Sequence, residues 1–121
     1  MNCLLIDTKN QSIKEITIDE TKNKLHQYYD HIGCDIIGVG TSLPNGDSVY
    51  VDDEGLFNLC VDSTFFQIGN GQPLCGNGLV VGLNHDTGTS ISCKTTLQEL
   101  KELVTFVSPE DVHHYPHHLF I

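Results

Sequence analysis

Asp47, Asp52, Asp53 and Glu54 crowd into the stretch LPNGDSVYVDDEGLFNL, Leu43 to Leu59. Carboxylates at that density are what a divalent cation or a general acid/base pair requires. Their spacing argues for turns instead. A calcium loop places oxygen ligands at alternating positions of one loop and ends on a bidentate Glu. Here Pro44-Asn45-Gly46-Asp47 has the composition of a tight hairpin turn with Asn-Gly supplying two positive φ values, Ser48 to Asp52 alternates as a strand, and Asp53-Glu54-Gly55 supplies the next reversal. Val49 and Val51 then face one way and Tyr50 and Asp52 the other, with Asp47 at one end of the strand and Asp53 and Glu54 at the far end. The four side chains are not expected to meet around one centre. They are expected to cap turns and to form part of a contact surface.

A second candidate is the run GNGQPLCGNGLVVG, with five glycines between Gly69 and Gly82. It is not a dinucleotide or phosphate loop, because those need a strand, the glycine turn and then a helix, or a Lys followed by Ser or Thr after the last Gly. Its CGNG, Cys75 to Gly78, resembles the cysteine motif of cofactor-independent epimerases typified by diaminopimelate epimerase. The resemblance implies Cys75 as a thiolate base for a proton α to a carboxylate, with amides around Gly76, Asn77 and Gly78 holding the substrate's anion. It covers four residues. That family uses two such cysteines, no second Cys-Gly pair occurs here, and a homodimer would have to bring two copies of Cys75 together. A buried structural Cys beside a glycine bulge is the simpler reading. The glycine run could also line a small-ligand pocket, from 69 to 82.

The third is HHYPHH. On a helix His113 would share a face with His117 and His114 with His118, a metal-binding arrangement, but Pro116 breaks that helix. Adventitious metal affinity or a pH-sensitive tail follows, and neither a dedicated metal site nor a cofactor is expected.

Composition sets the frame for these candidates. With 121 residues and 39% hydrophobic side chains, the chain is the size of one domain and can bury roughly two thirds of its unfolded surface without metals or disulfides. MNCLLIDTKN lacks a basic n-region and a long apolar run, so a secretory signal is not expected, nor is a membrane span. The five cysteines are odd in number and scattered, which fits reduced thiols in a cytoplasm. Charge is the strongest compositional signal: six Lys, no Arg and sixteen acidic residues give −10, and no Lys falls between Leu25 and Cys93. Without guanidinium forks, direct binding to nucleic acid is not expected. An acidic surface meeting a basic protein is.

The elements that position these residues are legible in outline. CLLI and SIKEITI read as a hairpin around DTKNQ. Leu25, Tyr28, Tyr29 and Ile32 have helical spacing, with Thr17 and Asp19 as cap candidates and Gly33 as the stop. CDIIGVGTSL, SVYVD, TFFQI, Gly78 to Leu83 and TSISC supply further strands. Thr96 to Glu99 is a capping box opening a helix with Leu97, Leu100, Leu103 and Val104 inward. The expected class is α+β: a mainly antiparallel, bent sheet of about six short strands with one or two packed helices. The α+β domain is assigned to residues 1–107, with a short helical turn and His-rich tail over 108–121.

The order of opening strand, short helix, IGCDIIGV, DDEGLF and PLCGNGLVVG resembles a family of small bacterial, plasmid and phage domains of unknown function. The resemblance covers Met1 to Val107. It implies a compact α+β domain of mobile elements, found among anti-restriction and host-takeover genes, and supplies no catalytic residues. The function expected from all this is a non-enzymatic acidic interaction module that binds a host protein with a basic surface through its negative stretch from Asp30 to Asp62.

Overall fold

A computed structural model describes residues 1–54 and 64–107 of the chain. Nine strands and two helices occur among them, in the order β1 (Asn2–Asp7), β2 (Ser12–Thr17), α1 (Lys24–Ile32), β3 (Ile37–Ser42), β4 (Ser48–Asp52), β5 (Phe65–Ile68), β6 (Leu74–Cys75), β7 (Gly78–Leu83), β8 (Ser90–Ile91), α2 (Leu97–Leu103) and β9 (Val104–Val107). The class is α+β and the pairing is antiparallel throughout. The strands divide between two sheets. The larger has the order β2-β1-β7-β4-β3, with β8 added to β7, and the smaller runs β6-β5-β9.

Strand β7 explains why the large sheet is covered on both sides. Gly78 to Gly82 are all buried, so alternate side chains enter two different cores. Val80 joins Leu4, Ile6, Val49, Val51, Phe66 and Leu100 in the layer between the large sheet and the small sheet with α2. Leu79 and Val81 join Cys3, Leu5, Ile18, Tyr28 and Ile32 in the layer beneath α1. At about 25 cal/mol per Å² of apolar surface removed from water, each such side chain contributes about 2 kcal/mol before the cost of ordering. Gly78 lets the Phe66 ring lie against the strand, since a Cβ there would sit 2.6 Å from Phe66 Cζ.

Local chemistry corrects two expectations. Helix α1 is capped by Asn23, whose side chain accepts from the His26 N–H at 3.0 Å, and not by Thr17 or Asp19. Asp19 is engaged in its own turn, accepting from the Thr21 N–H and hydroxyl, while Gln27 reaches back to the Asp19 backbone. Gly33 ends the helix in the left-handed region at φ 80°, as its position implies. The β3–β4 connection is a three-residue hairpin loop: the Gly46 N–H donates to Leu43 O and the Leu43 N–H to Asp47 O. Only Gly46 takes a positive φ, 95°, so the loop is a turn followed by a glycine bulge and not the two-residue form with two left-handed residues. The capping box at Thr96 and Glu99 forms in full.

The helical turn and histidine tail expected over 108–121 lie outside the described residues. Among the described residues no helix is long and apolar enough to cross a membrane.

Candidate functional site

The hairpin register fixes where the four carboxylates go. Asp47 turns inward and is completely buried. Its carboxylate accepts from the Lys94 N–H at 2.9 Å, the Thr95 N–H at 2.8 Å and the Thr95 hydroxyl at 2.6 Å, and Asn45 donates its side-chain amide to the same hydroxyl. The β3–β4 loop is thereby fastened to the segment that leads into α2. A surface-contact role for Asp47 gives way to this one, because the carboxylate exposes nothing to a partner and its oxygens are already held by donors.

Asp52, Asp53 and Glu54 gather at the opposite end of the hairpin. Ile37 pairs with Asp52, and the Asp53 N–H donates to Ile36 O at 3.0 Å, which brings Asp35 to the same place across the sheet edge. Asp35, Asp53 and Glu54 are exposed and Asp52 is half-buried. Asp52 also accepts from the Glu54 N–H at 2.9 Å, the turn chemistry anticipated for this stretch. Burial pushes the Cys34 thiol up to about 11, and the neighbouring Asp52 and Asp35 carboxylates push in the same direction, placing Cys34 inside the same negative patch. Ile36 and Val39 stand exposed beside it, 47% and 59%.

The carboxylates also straddle β3. Asp52 lies with Ile37 and Tyr50 on the α1 side of the sheet, where Tyr50 stacks on Tyr28 at 5.8 Å between ring centroids. Asp53 crosses the other side, directly over Gly38, where any Cβ would overlap its carboxylate. Glycine at 38 is therefore what lets a negative charge reach the outer edge of the strand.

The CGNG residues form a structural corner. Gly76 is left-handed at φ 82° and its N–H donates to Thr64 O at 2.7 Å. Asn77 accepts from the Thr8 N–H at 3.1 Å and the Thr8 hydroxyl at 3.2 Å, and its amide points at His31 O. Cys75 is half-buried on β6, and the chain passes from Gly78 into β7 and not into a helix. The Gly76 amide that would hold a substrate's anion is thus already engaged, and Asn77 ties β1, α1 and the corner together. Within one protomer, the groove at Gly71, Gln72 and Leu74 measures about 60 Å³, room for a few waters and not for a metabolite. A cleft of ligand size, about 480 Å³, opens elsewhere, between Glu15 to Thr17 on β2 and Cys93 to Leu97.

Among the described residues no three His, Cys, Asp or Glu side chains come together as a metal-binding group. His113, His114, His117 and His118 lie outside those residues.

Residues 1–105 match the family model for DUF3846, a domain of unknown function. The chain belongs to that family. No curated protein and no solved structure matches it. The matched stretch of this DUF3846 domain includes the acidic end of the sheet, the buried Asp47 and the CGNG corner, and stops within β9. Sequence reasoning did not single out Thr8, Thr64 or Thr95, and it included Asp35 only as one member of the negative stretch from Asp30 to Asp62. Their partners are 17 to 69 residues away along the chain, and only the strand register brings them in.

Proposed function

We propose that this DUF3846 domain is a non-enzymatic interaction module whose acidic sheet end engages a protein with a basic surface. The observation that supports it is the convergence of Asp35, Asp52, Asp53 and Glu54 on one sheet edge beside exposed Ile36 and Val39. No Lys is encoded between Leu25 and Cys93 to dilute that field. A single-signed patch of this kind steers encounter with an opposite charge, and an apolar centre with a charged rim is the usual anatomy of a contact surface. In the mobile-element setting that the sequence pattern suggests, the partner is a host protein and the domain an accessory or anti-defence factor.

The test is affinity capture from the native host with the wild-type domain and with a variant carrying Asp35→Asn, Asp52→Asn and Asp53→Asn. A basic protein held at low salt, released when added salt shortens the Debye length to about 3 Å near 1 M, and not retained by the variant, is the expected result. Capture that is equal for both proteins, or indifferent to salt, would remove the acidic edge from the contact.

A further inference from the structure

The two edges of the large sheet are built differently. The outer strand β2 carries Lys14 and Glu15, both exposed, the charged side chains that ordinarily deter another strand from adding. The opposite outer strand, β3, reads IGVGTS and has no charge of its own. Its one blunting device is the register shift between Val39 and Thr41, which leaves the segment before it regular.

Hydrogen-bond alternation shows which groups on that edge face outward. The Asp53 N–H donates to Ile36 O, so residues 36 and 38 point their main-chain groups at β4. Ile37 and Val39, one step out of phase, direct their N–H and C=O away from it. Among the described residues no strand lies on that side of β3.

Side chains on the edge alternate in chemistry as well as direction. On the α1 side stand Ile37 and the exposed Val39, with Tyr50 across from it. On the other side Gly38 contributes nothing and the Asp53 carboxylate fills its place. The geometry points to strand addition: β3 accepts an extended basic segment of a partner protein, with apolar and cationic residues alternating. The partner's main chain pairs with Ile37 and Val39, its apolar side chains cover Val39, and its Lys or Arg meets Asp53. A second copy of this chain is the wrong occupant on charge, since β3 against β3 would set Asp35, Asp52 and Asp53 beside their own copies. The inference rests on the acidic edge being the contact surface, and adds the mode of binding and the pattern of the ligand.

The experiment uses a labelled synthetic peptide of about eight alternating Lys and Val residues, a common strand length. Its control has the same sequence with alternate backbone nitrogens methylated, which keeps every charge and removes the ability to pair. Fluorescence anisotropy measures binding to the full chain, and amide exchange of Ile37 and Val39 reports pairing directly. The expected result is binding of the first peptide, about tenfold weaker binding of the control, and about tenfold slower exchange at Ile37 and Val39 in the complex. Val39→Pro, which deletes an outward N–H and leaves the β3–β4 bonds in place, weakens binding in the same way. Should that variant unfold, the methylated control peptide carries the test by itself, since it removes pairing without altering the protein, and Val39→Lys serves only to block a β3–β3 dimer.

Equal binding of both peptides, still lost in the triple Asp→Asn variant, would end strand addition while leaving the acidic contact standing. Binding of neither peptide at low salt would end both. A dimer of the free protein that Val39→Pro or Val39→Lys dissociates would give the edge to a second copy and overturn the assignment.

Discussion

Asp47 shows how a side chain chosen for turn chemistry can become the fastener of a whole domain. A short polar residue after Asn-Gly is ordinarily solvated, and its burial follows from the approach of residues 94 and 95, whose N–H groups would otherwise enter the interior without acceptors. Replacing Asp47 by Ala strands two backbone donors and a hydroxyl. The expected cost is about 3 kcal/mol, measured as a shift of the urea midpoint, with Asp47→Asn intermediate because one of its two side-chain groups becomes a donor facing donors. A loss under about 0.5 kcal/mol for Asp47→Ala would mean that the segment finds other acceptors. Nothing in the local sequence marks this role, since the partners are 47 and 48 positions away. A shorter separation, 17 positions from Asp35 to Asp52, was still enough to hide the acidic end. The turn at Asp53 and Glu54 was readable from composition, but Asp35 joins it only through the pairing of Ile37 with Asp52.

At the scale of elements, legibility tracked length and local chemistry. Strand β7 and the capping box of α2 were readable because each signal lies within a few residues: a glycine-bounded apolar run in one, Thr and Glu three apart in the other. Strand β9 was not. Leu97, Leu100, Leu103 and Val104 continue a helical stripe without interruption, yet the chain turns extended at Val104, φ −89° and ψ 131°, where β5 offers a ladder from Phe65 to Ile68. Tertiary pairing overrides the period there, and β6, two residues long, offers no period at all. The glycines of β7 carry the next expectation. A Cβ at Gly82 would overlap the Ser92 carbonyl and lie 3.0 Å from Ile91 O, both on or beside the β8 strand that pairs with it. Backbone cannot rotate aside as a side chain can, so Gly82→Ala should detach β8 and cost about 2 kcal/mol or more. Faster amide exchange confined to residues 90–93 is the signature to look for. An unchanged exchange pattern with native stability would show that β8 shifts as a unit at little cost.

Over the whole molecule, burial is distributed in a way that sets an alkaline limit. Burial pushes the Cys3 thiol up to about 12, with Cys93 and Asp47 adding to it and the amino terminus opposing; burial likewise lifts Cys93 to about 11, and Cys34 stands at about 11. Cys34, after α1, lies apart from the other two, whereas Cys3 on β1 and Cys93 before α2 are neighbours, the Cys93 N–H donating to Asn2 O at 2.9 Å, so ionising one of that pair opposes ionising the other. The sign follows from which state releases protons first. Unfolded thiols ionise near 9.0, the ordinary value, while the folded chain holds its protons to 11 or 12. Below 9.0 both states are protonated and the stabilisation is complete; above it the unfolded state ionises alone and is favoured progressively until the folded thiols titrate too. Stability should therefore fall from pH 9 toward pH 11, and the decline should be shallower in a variant with Cys3, Cys34 and Cys93 all changed to Ala. The formal charge of −10 predicts an alkaline loss of its own through self-repulsion, which grows as lysines lose their charge. Salt separates the two causes: screening relieves repulsion between surface charges and does little for the desolvation of a buried thiolate. Urea midpoints at pH 7, 9 and 10.5, each at low and high salt, distinguish them. A decline that high salt abolishes, and that the triple Ala variant shares in full, would assign the alkaline limit to surface charge and not to the buried thiols.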